Sequence, residues 1–293
     1  YKLNGRESTT MMTARGCPEH CSFCEDARSM VRWTPMNLID EEISDIKTLG
    51  YGGVYIFDDI FAIAQKKIEP IARKLKENDL IYRCNGQARM MTRDFMKMLA
   101  ETGCYEIAFG AETGSQKILD NIHKRTNIEQ NYKFVEWCNE FGIVCKAFVM
   151  LGLPGEDLET IADTERFIEK SGIRDFQLSI YYPYKGTEIR DLIDKGESGF
   201  DLEFEGEGLG AYGQKGGSTE CVVRTKALSA QDLLYHRDRI VKKYKPHSHS
   251  NKWVDKQATD HFFDTHIAEN KNIRLYDKEL RPEVLNDPNR RAE

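Results

Sequence analysis

Short apolar runs alternate with amphipathic segments from Thr9 to about Lys195, and that alternation restricts the fold more than any other feature of the chain. The strand-like runs are residues 9–13, 53–57, 81–83, 106–109, 144–150 and 176–181. Helical spacing covers 37–49, 62–77, 92–102, 116–122, 128–141, 158–171 and 187–195. In the first of these helices Leu38, Ile43 and Ile46 are the apolar positions. Asp40, Glu41 and Glu42 fall in its first turns, where the helix dipole favours acids. Six βα units in succession predict a parallel sheet with right-handed crossovers. The expected class is α/β, a partial (β/α)6 TIM-like barrel with a C-terminal extension. Barrels of this kind build their sites from loops at the carboxyl ends of the strands. The cysteine-rich loop at 17–24, Asp58-Asp59, Glu112 and the turn at 152–156 all fall at such ends, which predicts one shared site.

The first strand-end loop reads Cys17-Pro-Glu-His-Cys21-Ser-Phe-Cys24, three thiols in eight residues. Iron–sulfur clusters are commonly held by four cysteines, so a three-thiolate nest points to a cluster with one iron open to an outside ligand. Cys21 and Cys24 alone would also suit a redox disulfide or half a zinc site. A redox pair does not need Cys17, however, and no second ligand pair follows for zinc. The other five cysteines (Cys84, Cys104, Cys138, Cys145 and Cys221) are scattered in apolar patterns and read as small buried hydrophobes.

A chain of 293 residues with 40% hydrophobic content can bury a sizeable core. It has no run of eighteen apolar residues and no visible secretory leader, so no membrane span is expected and reduced thiols in a cytoplasmic setting are the better reading. The net charge of −6 argues against binding nucleic acid through a large basic field. Composition shifts after Lys195, which suggests a barrel domain over 1–195 and an extension over 196–293 on the substrate side. Residues 196–217 are rich in glycine and acids and read as a linker. Residues 228–244 read as an amphipathic helix opened by a Ser229 cap. Residues 246–250, with His247 and His249, and the tail from Arg281 are polar and expected to be poorly ordered.

The run from Arg15 to Cys24, with Phe23 before the last cysteine, resembles the signature of radical S-adenosylmethionine (SAM) enzymes. The resemblance spans roughly residues 1–195. Gly110-Ala-Glu-Thr-Gly-Ser115 is similar to the family's fourth-strand segment, and Val149-Met-Leu-Gly-Leu-Pro-Gly-Glu156 to its fifth-strand segment. It implies a [4Fe–4S] cluster on Cys17, Cys21 and Cys24, with the amino and carboxylate groups of SAM on the fourth iron. Phe23 should lie against the adenine and Glu112 should meet the ribose or amino group. Gly152, Leu153 and Pro154 should line the adenosyl pocket. The family's acidic motif after the second strand matches loosely here. Asp58 stands between a contact to the SAM amino group and a plain helix cap, and Arg89 between a partner for the SAM carboxylate and a surface cation. Tyr181, Tyr182 and Tyr184 could face substrate or simply pack.

The stretch Tyr1-Lys-Leu-Asn-Gly-Arg6 resembles the junction at which many members leave an N-terminal cobalamin domain. Cobalamin is implied only if such a domain lies upstream. The resemblance further implies a small-molecule substrate and a low-potential electron donor of flavodoxin or ferredoxin type. A tRNA-modifying methylthiotransferase is the second reading, and a non-catalytic iron–sulfur or zinc module the third.

Overall fold

The computed structural model describes residues 1–196, 202–204, 221 and 223–244. Strands β1 (Lys2–Leu3) and β2 (Arg6–Met11) form a hairpin, followed by the short pair β3 (Ala14–Arg15) and β4 (Arg32–Trp33). Then come α1 (Met36–Thr48), β5 (Gly53–Ile56), α2 (Gln65–Glu77), β6 (Ile81–Gly86), α3 (Arg93–Glu101) and β7 (Cys104–Glu112). The remainder is α4 (Gln116–Asn121), α5 (Ile128–Phe141), β8 (Val144–Leu151), α6 (Leu158–Ser171), β9 (Asp175–Ile180), α7 (Glu188–Asp194), β10 (Leu202–Phe204), β11 (Val223–Thr225) and α8 (Ala230–Tyr244).

The main sheet runs β1-β2-β5-β6-β7-β8-β9. From β2 onward all neighbours are parallel and in chain order, as six βα units require. Helices begin where local chemistry stops the strand from continuing. Thr92 accepts from the Phe95 amide, Thr187 accepts from the Arg190 amide, and Asn127 and Asp157 form reciprocal capping boxes with Gln130 and Thr160. The expected Ser229 cap is present too, with Ser229 and Asp232 each accepting from the other's amide.

The two faces of the sheet differ because side chains alternate along a strand. On β8, Cys145, Ala147, Val149 and Leu151 are buried, whereas Lys146, Phe148 and Met150 are half-buried. The buried face meets the helices through residues such as Phe134, Ile161 and Phe167, and Phe109 stacks on Phe134 at 4.2 Å. The opposite face is mixed, with Phe148 and Met150 on β8 beside a polar cluster on β5 to β7. Tyr55, Arg83 and Glu106 are register neighbours there, Arg83 lying 4.3 Å over the Tyr55 ring and 3.2 Å from Glu106.

Several elements differ from the sequence expectation. The first strand starts at Arg6 rather than Thr9, β6 runs on to Gly86, and β7 spans Cys104–Glu112 instead of 106–109. Residues 1–6, read only as a junction, make the β1–β2 hairpin. The predicted linker contains β10, which pairs antiparallel with β11. The rest of that linker beyond Gly196, residues 246–250 with His247 and His249, and the tail from Arg281 lie outside the described residues. No helix among the described residues is long and apolar enough to cross a membrane.

Candidate functional site

The cysteine loop leaves β3 and returns to β4, and its own backbone folds it tightly. Ser29 Oγ accepts from the Cys17 amide at 2.8 Å, and the Ser29 amide donates to the Cys17 carbonyl at 3.0 Å. The Arg28 amide donates to Glu19, and the Cys24 amide to Cys21. Gly16 has φ of 101°, and a side chain there would collide with the Met30 carbonyl, so the position before the first cysteine admits only glycine. Two further bonds dock the loop on distant elements. The Ser22 amide donates to Ile122 after α4, and the Ser22 carbonyl accepts from Ile189 in α7. All eight cysteines are free, and Cys21 is buried while Cys17 and Cys24 are partly exposed.

Beside the thiols sits a buried ion pair. Glu112 ends β7 at a register shift, with φ of 61°, a left-handed conformation uncommon for a side chain of this kind. Its Oε1 accepts from Lys124 Nζ at 2.7 Å, with both side chains under one-tenth exposed. The carboxylate and ammonium occupy the space where a side chain on residue 110 would lie, which requires Gly110. Lys124 Nζ also lies 6.0 Å from the Phe23 ring centroid, which brings this pair to the aromatic of the cysteine loop. Burial works against the Lys124 charge. The Glu112 carboxylate and the Cys21 and Cys24 sulfurs outweigh it, and its pKa is held above the ordinary lysine value.

At the end of β8, Glu156 closes the Gly-Leu-Pro-Gly turn. Its Oε2 accepts from the Gly152 amide and, at 3.3 Å, from the Leu153 amide. Asn121 donates to the Pro154 carbonyl at 2.9 Å, which ties the turn to the end of α4. The extension reaches this turn as well: Thr225 donates to the Glu156 carbonyl, and Val223 and Leu233 pack on Gly152.

Cys21, Cys24, Phe23 and Glu112 are thus brought together, with Lys124 between them. Asp58 and Arg89 are placed differently. Asp58 does not cap α2, whose N-cap is Ala64. It lies buried under the start of the cysteine loop, accepting from Thr13. Arg89 pairs with Glu19 inside the same loop, where Glu19 is 3% exposed. Tyr182 and Tyr184 pack ring to ring at 4.9 Å, and Tyr181 is buried. The sequence reading missed Lys124, Glu19, Thr13 and Ser29. Lys124 carried a signal only as part of a basic run, His123-Lys-Arg125, that reads as a solvated turn.

The thiols suit a cluster in number and in setting. Burial raises the pKa of all three, that of Cys21 to about 12, whereas metal ligation needs thiolates. The Lys124 ammonium pulls Cys21 and Cys17 back towards ionisation. Among the described residues no three His, Cys, Asp or Glu side chains converge on one ion. A cubane asks for something else, one thiolate on each of three irons, which a loop with three spaced sulfurs supplies.

Residues 11–168 match the Radical SAM superfamily. An uncharacterized methyltransferase of Pyrococcus horikoshii is 27% identical over 195 residues, which cover 64% of this chain and 42% of the relative. The anaerobic magnesium-protoporphyrin IX monomethyl ester cyclase of Rubrivivax gelatinosus is 28% identical over 198 residues, 65% of this chain and 36% of that one. The chain therefore spans about two fifths of the length of these curated relatives. Among solved structures, the radical S-adenosylmethionine methyltransferase TsrM of Kitasatospora setae, with cobalamin and a [4Fe–4S] cluster bound, aligns with a TM-score of 0.61. It is 18% identical, over 68% of this chain and 42% of that one. Coproporphyrinogen III oxidase of Escherichia coli aligns at 0.51, 14% identical, over 69% and 55%. These likenesses establish the partial-barrel fold.

Proposed function

The chain belongs to the radical SAM superfamily, and on that footing we propose that Cys17, Cys21 and Cys24 hold a [4Fe–4S] cluster whose remaining iron takes the amino and carboxylate groups of SAM. When bound and reduced, the cluster supplies one electron to the SAM sulfonium, releasing methionine and a 5′-deoxyadenosyl radical that takes a hydrogen atom from substrate. The chain's own part is to bind, orient and keep water out. Phe23, set between two of the ligands, lies against the adenine. Glu112 meets the ribose or amino group, its carboxylate held by Lys124 in a buried site where a hydrogen bond is geometrically strict. The backbone of Gly152, Leu153 and Pro154 lines the adenosyl pocket, and Glu156 fixes the amides of that turn.

Substrate lies against the sheet face that carries Tyr55, Arg83 and Glu106 and is a small molecule. The named relatives include methyltransferases and a ring-forming cyclase, which makes methyl transfer and cyclisation the outcomes to test first. A flavodoxin- or ferredoxin-type protein supplies the electron, and cobalamin takes part only where an upstream domain carries it. The observation that carries this reading is the three-cysteine loop, prefolded by its own hydrogen bonds and set beside a buried Lys124–Glu112 pair.

Anaerobic reconstitution tests it. The wild-type chain should take up a [4Fe–4S] cluster and, with dithionite and SAM, form 5′-deoxyadenosine detectable by mass spectrometry. Cys17→Ala should form none. The proposal fails if the reconstituted wild type yields no 5′-deoxyadenosine while Cys17→Ala still folds and binds zinc.

A further inference from the structure

We infer that Asp58 and Asp59 are positioning residues that fix where the cysteine loop begins, and so where Cys17 stands relative to Cys21 and Cys24. The inference rests on the cluster reading above and assigns the two acids a task other than touching SAM.

Strands β2 and β5 run in register as far as Met11 and Ile56, and the Phe57 amide still donates to the Met11 carbonyl. Beyond that point the backbones part, and side chains replace the ladder. The Thr13 amide donates to Asp58 Oδ1 at 2.7 Å and the Thr13 hydroxyl to Oδ2 at 2.5 Å. The Ala14 amide also favours the charged form of Asp58. The Gly16 amide donates to Asp59 Oδ2 at 2.7 Å. Three donors from Thr13 and Gly16, just before Cys17, therefore end on two adjacent carboxylates.

Asp58 is 2% exposed, with no cation among the groups that perturb it. Burial pushes the Asp58 carboxyl above its ordinary value, and the hydrogen bonds from the loop pull it part of the way back. The clamp is braced from behind. Asn85 of β6 donates to the Asp58 carbonyl at 3.1 Å, and the Asn85 carbonyl accepts from the Phe61 and Ala62 amides. The far half of the loop is held independently through Ser22. Cys17 keeps its two hydrogen bonds to Ser29, so losing the clamp should loosen the entry to the loop and shift Cys17 more than its two partners. A cubane cannot follow such a shift, since its sulfur-to-sulfur separations are fixed by the iron core.

The chemistry requires acids. A carboxylate offers two acceptor oxygens to the two donors of Thr13. An amide at the same place keeps one oxygen for the Thr13 amide, but its NH2 can meet the Thr13 hydroxyl only with that bond reversed and the charge lost. Asp58→Asn is thus nearly isosteric yet weakens the clamp by removing its charge, and Asp59→Asn, at an exposed site, does so more mildly. Thr13→Val removes one donor from the other side, while Thr13→Ser keeps both.

The four variants and the wild type are reconstituted together and compared by iron content, by the electron paramagnetic resonance spectrum of the reduced cluster with and without SAM, and by the rate of cluster loss to a chelator. A lost buried charge-assisted bond shifts an equilibrium by at least about fivefold. Asp58→Asn and Thr13→Val should therefore lose the cluster at least about fivefold faster and show a broadened spectrum. Thr13→Ser should match the wild type. The double variant Thr13→Val with Asp58→Asn should lose little more than either single change, because both break one clamp. Full iron content with an unchanged spectrum, together with a lost response to SAM, would overturn the inference and return Asp58 to the SAM site. A fall in melting temperature alone, with cluster spectrum and chelator rate unchanged, would overturn it too. A wild type that assembles no cluster would instead sink the cluster reading, and this inference with it.

Discussion

Glu156 and its neighbour Asp157 show how much a side chain's setting decides at residue scale. Asp157, partly buried, is kept below its ordinary pKa by Lys117 and by the Thr160 amide. Glu156 is 1% exposed and meets no cation, and burial raises its pKa to about 8 despite the Gly152 and Leu153 amides. Its Oε1 is buried without a hydrogen-bond partner, as suits a protonated acid. Between the ordinary value near 4.5 and about 8 the folded chain holds a proton that the unfolded chain has released. Stability from this group is therefore fully present at low pH and declines as pH rises through about 8, with a slope of at most about 1.4 kcal/mol per pH unit. Glu156→Gln keeps an acceptor for the two amides and removes the titration. Urea unfolding of the cluster-free protein from pH 5 to 8.5 should give a steeper decline for the wild type than for the variant, and parallel curves would refute the assignment. The sequence places Glu156 at the end of the Gly-Leu-Pro-Gly-Glu segment, but nothing in it shows that the carboxyl is buried without a cation. The same holds for Lys124, whose burial depends on Gly110, fourteen residues earlier and on a different element.

Among the elements, the long ones were readable and the short ones were not. Strands β5 to β9 and their helices announce themselves through apolar runs and helical spacing, because one face of each must enter the core. Strands β1, β3, β4, β10 and β11 have two or three residues, too few for any period, and are defined by the strands they pair with. β6 was read as three residues because Asn85 and Gly86 lack strand preference; pairing with β7 carries the strand through them. The β11–α8 unit is the element whose docking matters most for the site. Val223 and Leu233 are essentially inaccessible and lie on the Gly152 turn, and Arg239 and Lys243 pair with Glu165 on α6. The Arg239–Glu165 contact is bidentate and partly buried, and it adds to the apolar contacts that hold the unit. Leu233→Ala should cost about 2–5 kcal/mol by chemical denaturation. A loss below about 1 kcal/mol would mean that α8 is not packed on the turn as described.

For the whole molecule, the order of the sheet follows from its connectivity. Each right-handed βα crossover lays the next strand beside the last, so chain order becomes spatial order and the strand-end loops gather at one end. That much of the site could be foreseen: the cysteines, Glu112 and the Gly152 turn had to share an end of the sheet. What could not be foreseen is how the loop is held before any cluster arrives. Thr13, Gly16, Cys17, Glu19 and Ser22 are each tied by hydrogen bond or ion pair to a partner distant in sequence. The hydrophobic core between sheet and helices lies elsewhere and needs no metal. Small zinc domains are the opposite case, because there metal binding supplies the folding energy. Cluster removal here should cost only about 1–3 kcal/mol, a drop of about 2–10 °C in Tm for a chain of this size. Far-UV circular dichroism and differential scanning calorimetry of the reconstituted and chelator-stripped protein measure this directly. The stripped protein should keep its helical signal and one cooperative transition. Collapse of that transition would mean that the cluster, and not the core with its clamps, holds the barrel together.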